Sequence, residues 1–129
     1  MKFWFFMFFF ILLIPLLMII FGLVFRKCPP KEVNYIYGYR TPLSTKSQET
    51  WDFAHKYMGR LWLLFGIIIL IPSIIGMVLV IGLDEDTVGY TGMVITLIQL
   101  FVMMIPIIPT ERALKKNFDE NGNRKNENF

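Results

Sequence analysis

The stretch that decides the fold is residues 61–110: LWLLFGIIILIPSIIGMVLVIGL (61–83), DEDT (84–87) and VGYTGMVITLIQLFVMMIPIIPT (88–110). Two apolar segments without a charged side chain flank four polar residues. A bilayer core requires about 20 apolar residues per helix, so each segment is long enough to cross it. Because the turn between them is so short, we expect an antiparallel helical hairpin whose two helices are direct neighbours.

A third charge-free run, Phe3–Phe25, begins behind a single lysine, as a signal peptide does. It is longer than the apolar region of a signal peptide and contains Pro15, and Arg26-Lys27 stands where a small-residue cleavage site belongs. We therefore expect an uncleaved span. The predicted fold class is an all-α membrane protein with three transmembrane helices in one domain, residues 1–116. The remaining residues, 117–129, are polar, and their composition predicts disorder.

The charges outside the spans are distributed unequally. The long connection between the first two spans, residues 26–60, and the C-terminal tail are rich in Lys and Arg, whereas the short turn carries only acids. Since basic loops tend to remain in the cytoplasm, we expect the connection and the C-terminus inside the cell and the N-terminus outside. The net charge of +3 is thus a topology signal, and it also favours anionic lipid headgroups as partners.

The second half of the long connection has the spacing of an amphipathic helix. Trp51, Ala54 and Met58 recur at steps of three and four residues, and charged residues occupy the other side. After Pro42, either Ser44 or Thr45 is a suitable helix cap. We expect an interfacial helix that leads into the second span, with or without a bend at Gly59. A purely structural alternative is that this helix only anchors the bundle at the membrane surface.

In this connection the chain resembles the SdpI-like family of bacterial membrane proteins. The resemblance rests on Asn34, Gly38, Arg40-Thr41-Pro42, Ser44, Ser47, Glu49, Trp51, Ala54-His55 and Gly59-Arg60, followed at once by the membrane hairpin. It implies a multi-pass protein of the bacterial cell membrane. It also implies a relationship to the member that gives the family its name, which resembles an immunity protein. That protein protects against a secreted toxic peptide and signals the peptide's presence to a transcriptional repressor. Only one span precedes the signature here, so the chain resembles the compact, single-module form of the family.

The candidate residues for binding a ligand or partner all lie in the long connection: Asn34, Tyr37, Gly38, Arg40, Thr41, Ser44, Ser47, Glu49, Trp51, His55 and Arg60. Arg40 is the strongest of them, because a guanidinium beside tyrosines can hold a carboxylate, a lipid phosphate or a peptide terminus through a bidentate contact. The alternative is that Arg40 pairs with Glu49 or Asp52 and braces the connection. We also expect Arg60 to pair with Glu111 across two helices.

The remaining residue patterns argue against other classes of function. His55 is the single histidine, so one chain cannot form a site of several histidines, and Asp52 alone makes a weak metal partner. The sequence contains no nucleophile elbow, phosphate loop or paired zinc motif, so we expect neither an enzyme nor a bound cofactor or metal. No span contains an ionisable residue, and Gln99 is the main polar side chain within the spans. This composition disfavours an ion-coupled transporter.

Three functional hypotheses follow. The leading one is an immunity protein that binds or excludes a membrane-active peptide toxin without covalent chemistry. The second is a membrane signalling protein that recruits a transcriptional repressor through its cytoplasmic face. The third is a small transporter or channel, which requires a homo-oligomer to build a pathway that one chain lacks.

The predicted orientation is testable because Cys28 is the single cysteine and lies in the long connection. A membrane-impermeant thiol reagent added to intact cells is expected to leave Cys28 unlabelled, and the same reagent is expected to label it once the membrane is opened. A Cys28→Ser chain provides the background. Labelling of intact cells above that background would place the connection outside and reverse the orientation.

Overall fold

The computed structural model describes residues 1–34 and 36–125, so Tyr35 and residues 126–129 lie outside the described part. The described part contains four helices: α1 (Lys2–Lys27), α2 (Gln48–Leu79), α3 (Glu85–Met104) and α4 (Ile107–Asn117). Three helical stretches are long and apolar enough to cross a membrane, Lys2–Lys27, Gln48–Leu79 and Glu85–Asn117. The predicted all-α fold with three transmembrane helices is confirmed.

The boundaries of the hairpin differ from those expected. Helix α2 ends at Leu79, so the turn occupies residues 80–84, and α3 already begins at Glu85. Asp84 explains the early start, because its carboxylate accepts hydrogen bonds from the Thr87 hydroxyl at 2.7 Å and the Thr87 N–H at 3.2 Å. These bonds, led by the one from the hydroxyl, lower the pKa of the Asp84 carboxyl. Glu85 and Asp86 then stand at a helix N-terminus, where the helix dipole favours negative charge.

The third predicted span, residues 88–110, is divided between two helices. Helix α3 ends at Met104 and α4 begins at Ile107. The break falls at Pro106, which has no N–H for the helical ladder. The Thr110 hydroxyl donates to the Pro106 carbonyl at 2.7 Å, so the first turn of α4 gains a side-chain bond.

The chain forms two compact units. The first unit comprises residues 1–20 and 62–104. Its core includes Trp4, Ile11, Met77 and Val88, and the Trp4 indole N–H donates to the Met77 carbonyl at 2.8 Å. Many large apolar side chains of this unit face outward, and Phe101 is 73% exposed. Such a surface suits lipid rather than water.

The second unit comprises residues 21–61 and 105–129. Its buried side chains include the apolar face of the predicted amphipathic segment, namely Trp51, Ala54 and Met58. That segment is the first part of α2 and is continuous with the span, without a helix end at Gly59. The protein itself therefore covers the face that the sequence analysis assigned to the membrane surface.

The described part of the tail also belongs to the second unit. Phe118 is 1% exposed and meets Phe53 edge-on, with the ring centroids 5.5 Å apart. The Arg124 guanidinium lies over the Phe118 ring, 4.9 Å from its centre. This order differs from the disorder that the polar composition predicts, because one aromatic side chain supplies an apolar anchor that the average composition conceals. The last residues of the predicted disordered tail, 126–129, lie outside the described part.

Two helices of the second unit approach closely at Gly59. A Cβ atom at this position of α2 would lie 2.8 Å from the Gly22 carbonyl oxygen and 3.0 Å from the Arg26 nitrogen, both backbone atoms of α1. Backbone atoms cannot move aside as a flexible side chain can. Close packing of α1 against α2 therefore requires glycine at this position.

We expect Gly59→Ala to destabilise the protein by about 1–3 kcal/mol, because overpacking at a close helix contact forces the backbones apart. Denaturant unfolding in detergent micelles, followed by circular dichroism, measures the loss. Gly89→Ala is the matched control, since a Cβ atom there meets the Phe3 ring at an ordinary 3.6 Å. Equal stability of the two variants would contradict the close-packing argument.

Candidate functional site

The signature residues lie in and beside one loop, residues 28–47, which we call the signature loop. It ends at Ser47, the cap of α2. The Ser47 Oγ accepts from the Thr50 N–H at 3.1 Å, and the Thr50 Oγ1 accepts from the Ser47 N–H at 3.0 Å. This reciprocal pair satisfies two backbone donors at the helix start. The cap predicted at Ser44 or Thr45 is therefore wrong.

His55 holds the signature loop against α2. Its side chain is fully buried, and its Nε2 accepts from the Tyr39 N–H at 2.8 Å. Since Nε2 is the acceptor, the hydrogen of the neutral ring belongs on Nδ1, which lies 2.7 Å from the Trp51 carbonyl oxygen. Both ring nitrogens are thus engaged by the backbone. The geometry assigns His55 to the support of the loop rather than to a metal or a reacting proton.

Gly38 allows the loop to pass this close to the imidazole. Its φ of 116° lies in the left-handed region that side chains disfavour. A Cβ atom here would also lie 2.6 Å from the His55 Nε2 and 3.0 Å from the Trp51 ring. The glycine of the signature is therefore required by both conformation and space.

The Glu111 carboxylate of α4 forms hydrogen bonds with the next part of the loop. Glu111 Oε2 accepts from the Tyr39 hydroxyl at 2.5 Å and from the Thr41 hydroxyl at 2.9 Å. Burial, together with Glu111, raises the pKa of the Tyr39 phenol, so this group remains a donor. The predicted pairing of Glu111 with Arg60 is wrong, because Glu111 is hydrogen-bonded to the loop instead. Sequence reasoning missed this role, although Glu111 stands out as an acid among the basic residues after the third span.

The Ser44 hydroxyl forms hydrogen bonds with backbone groups in the middle of the loop. Its hydroxyl accepts from the Thr41 N–H at 2.8 Å and lies 3.0 Å from the Tyr39 carbonyl, to which it donates. The Thr50 hydroxyl in turn donates to the Ser44 carbonyl at 3.0 Å. Side chains thus satisfy the backbone of a segment that has no regular secondary structure.

Asn34 and Trp51 fix the start of the loop. The Asn34 Oδ1 accepts from the backbone N–H groups of Ile36 and Tyr37, at 2.9 and 2.7 Å. The Trp51 indole N–H donates to the Pro30 carbonyl at 2.7 Å. These two candidates serve the conformation of the loop.

Arg40 is different, because its side chain is exposed. Within the described residues it makes no hydrogen bond or ion pair. Its suggested bracing partners are engaged elsewhere: Glu49 lies 3.5 Å from the Arg124 Nε, and Asp52 accepts from the Gln48 amide at 2.9 Å. Arg40 is therefore available to a ligand.

Arg60 lines a separate groove of the second unit, with a volume of about 550 Å³. Arg112 and Lys116 line the same groove, together with the Tyr57 side chain. No carboxylate is among the described residues that line it. The groove consequently attracts anions.

Gln99 belongs to the core of the first unit. Its amide nitrogen donates to the Ile11 carbonyl at 2.8 Å and to the Ser73 hydroxyl at 2.9 Å. Across residues 1–34 and 36–125, no three His, Cys, Asp or Glu side chains converge in a way that would hold a metal ion.

The bond between Tyr39 and Glu111 is testable by limited proteolysis. We expect Tyr39→Phe to speed tryptic cleavage at Arg40 and Lys46 about tenfold, because a hydrogen bond to a charged group contributes about 1.5–3 kcal/mol. Digestion of the micelle-bound protein, followed by mass spectrometry, measures the rate. Tyr37→Phe is the control, since the Tyr37 ring packs near Phe21 and Phe25 and its hydroxyl makes no hydrogen bond to the described residues of the loop. Unchanged cleavage in Tyr39→Phe would show that this bond does not hold the loop.

Comparison with known proteins places this arrangement in a family. The protein is 43% identical over 53 residues to the uncharacterized protein YfhL of Bacillus subtilis (strain 168). That match covers 41% of this chain and 48% of the relative, so the chain spans about half the length of the curated relative it matches. No solved structure matches the chain significantly.

The family comparison covers a larger part of the chain. The sequence model of the SdpI/YfhL protein family matches residues 31–110, which include most of the signature loop and both helices of the hairpin. The resemblance seen in the signature residues is thereby confirmed. This multi-pass membrane protein belongs to the SdpI/YfhL protein family.

Proposed function

We propose that the protein is a membrane immunity protein that protects a bacterium against a secreted, membrane-active peptide by binding or excluding it, without covalent chemistry. Family membership supports the membrane setting, and the resemblance described above suggests the immunity role. The observation that carries the proposal is Arg40, an exposed guanidinium on a loop whose neighbouring side chains, Tyr39 and Thr41, are both bonded to Glu111.

This geometry favours recognition of an anionic group. A guanidinium donates two parallel hydrogen bonds to a carboxylate or a phosphate. Because the residues on both sides of Arg40 are already fixed, little backbone freedom is lost when a ligand binds. The C-terminal carboxylate of a membrane peptide is such a ligand. In the predicted orientation, Arg40 meets the terminus of a peptide that has crossed the bilayer.

The basic groove of the second unit supports the same membrane setting. Arg60, Arg112 and Lys116 present positive charge to anions, and anionic lipid headgroups are the most abundant anions at a membrane surface. In our proposal this groove binds lipid headgroups, while Arg40 binds the peptide.

The proposal predicts protection of a toxin-sensitive bacterium. Cells that express the intact protein are expected to survive a cognate peptide that kills cells carrying an empty vector. Arg40→Ala is expected to lower the highest peptide concentration that the cells survive by about tenfold. This loss is typical of a charge-assisted hydrogen bond. Survival is measured over a peptide dilution series, with equal membrane levels of each variant verified by immunoblot.

Lys56→Ala is the control for charge, since Lys56 is also an exposed cation, but lies on α2. Equal killing with and without the intact protein, across candidate peptides, would contradict the immunity role. Co-purification of a soluble DNA-binding protein in that case would favour the signalling alternative.

A further inference from the structure

The first unit contains a cavity of about 290 Å³ between α2 and α3. Four isoleucines and Pro72 form its apolar walls, and Ser73 and Gln99 are its polar residues. Ile98, at its edge, is 55% exposed on the outer surface of α3. In a membrane this outer surface faces lipid, so the cavity is open to molecules dissolved in the bilayer.

Gln99, which lines the cavity, has an unsatisfied acceptor. The side chain is 1% exposed, and its Oε1 has no hydrogen-bond partner among the described residues. The amide cannot be turned around, because the Ile11 carbonyl can only accept and therefore requires the amide nitrogen. Both amide hydrogens are used, by Ile11 and Ser73. A buried acceptor without a partner is costly in an apolar environment, so a ligand that donates to it gains affinity.

Pro72 removes one backbone donor at the cavity wall. In a regular helix the N–H of residue 72 would donate to the carbonyl of Ile68, four residues earlier, but proline has no N–H. Ile68 and Pro72 both line the cavity. The site therefore combines apolar walls with the unpaired Gln99 acceptor, and it selects for an apolar ligand that carries a donor.

The depth of the site restricts the source of that donor. Gln99 lies at the centre of the charge-free segment 88–110. Lipid hydroxyl and amine groups remain at the headgroups, so they do not reach this depth, and acyl chains have no donor. The donor must come from a side chain of a peptide that enters the bilayer or from a small apolar molecule.

Among the described residues of the spans, a second copy of this chain offers no free aromatic donor at the depth of Gln99. Tyr90 is the aromatic donor on the outer surface of the spans, at 67% exposure. It lies nine residues before Gln99 on α3, about 13 Å along the helix axis. Trp4 and Trp62 are engaged within the first unit, where each donates to a backbone carbonyl. The aromatic donors of the described spans thus favour a different molecule as the occupant.

The volume of the cavity indicates the size of the ligand group that donates to Gln99. An apolar cavity of about 150 Å³ accepts a benzene ring, so a cavity of about 290 Å³ has room for two fused rings. We propose that this cavity binds one indole-sized aromatic group, which donates its N–H or O–H to Gln99. In keeping with the proposed function, on which this step rests, the group is a Trp or Tyr side chain of the membrane-active peptide.

The binding test uses 5-fluoroindole and its N-methyl derivative with the full chain in phosphatidylcholine nanodiscs, observed by fluorine NMR. 5-Fluoroindole is expected to bind, and N-methylation, which removes the donor, is expected to weaken binding about tenfold. Ile98→Trp, which fills the cavity from the lipid side, is expected to abolish binding. Leu97→Trp is the matched control, because Leu97 is 51% exposed on the same helix but does not line the cavity.

Circular dichroism verifies that both tryptophan variants retain their helices. Equal binding of the two probes, or undiminished binding to Ile98→Trp, would overturn the assignment of the site. A cavity that only holds a bridging water would give no binding of 5-fluoroindole, which would also overturn it.

A second arm identifies the source of the ring. A membrane-spanning peptide of leucine and alanine with one central Trp is expected to displace 5-fluoroindole, whereas its central Phe counterpart is not. If neither peptide displaces the probe, a peptide is not the source. These measurements do not depend on immunity. If the unsubstituted protein binds 5-fluoroindole as expected but does not protect cells, that result would count against the proposed function alone. Protection that persists in Ile98→Trp would count against the cavity as the site of peptide recognition.

Discussion

Hydrocarbon cannot hydrogen-bond to a peptide group, and most features of this structure depend on that constraint. Inside the first unit most of the backbone is helical, and several polar side chains donate to other helices. The indoles of Trp4 and Trp62 donate to carbonyls, and so does the amide of Gln99. At Gln99 the side chain has an acceptor without a donor nearby, so its oxygen is left without a partner among the described residues. Gln99 lines the cavity beside Pro72.

The second unit satisfies its polar groups in another way. The described residues of the signature loop form no helix or strand, so side chains satisfy several of its backbone groups. His55 accepts from the Tyr39 N–H, Ser44 accepts from the Thr41 N–H, and Asn34 accepts from two successive N–H groups. A family signature rich in small polar residues is therefore explained by conformation, and Arg40 is among the members that remain exposed.

Sequence reasoning succeeded where a pattern is carried by adjacent residues. Charge-free length identified the three spans, and the spacing of Trp51, Ala54 and Met58 identified a helix with one buried face. It failed where the decisive partner is distant along the chain. Glu111 meets Tyr39 from 72 residues away, and a composition average conceals the anchoring effect of Phe118.

The sequence by itself determined that the chain is helical, that it crosses a membrane and that it carries the signature of its family. These properties follow from local hydrophobicity and from fixed residue spacing. Only the tertiary structure decided which polar groups are satisfied. In it both nitrogens of His55 are bonded, and Glu111 accepts from the signature loop. The Gln99 oxygen, in the lining of a cavity, has no partner among the described residues. The physical reason is that a hydrogen bond depends on distance and direction between atoms, and residue order does not specify either one across helices.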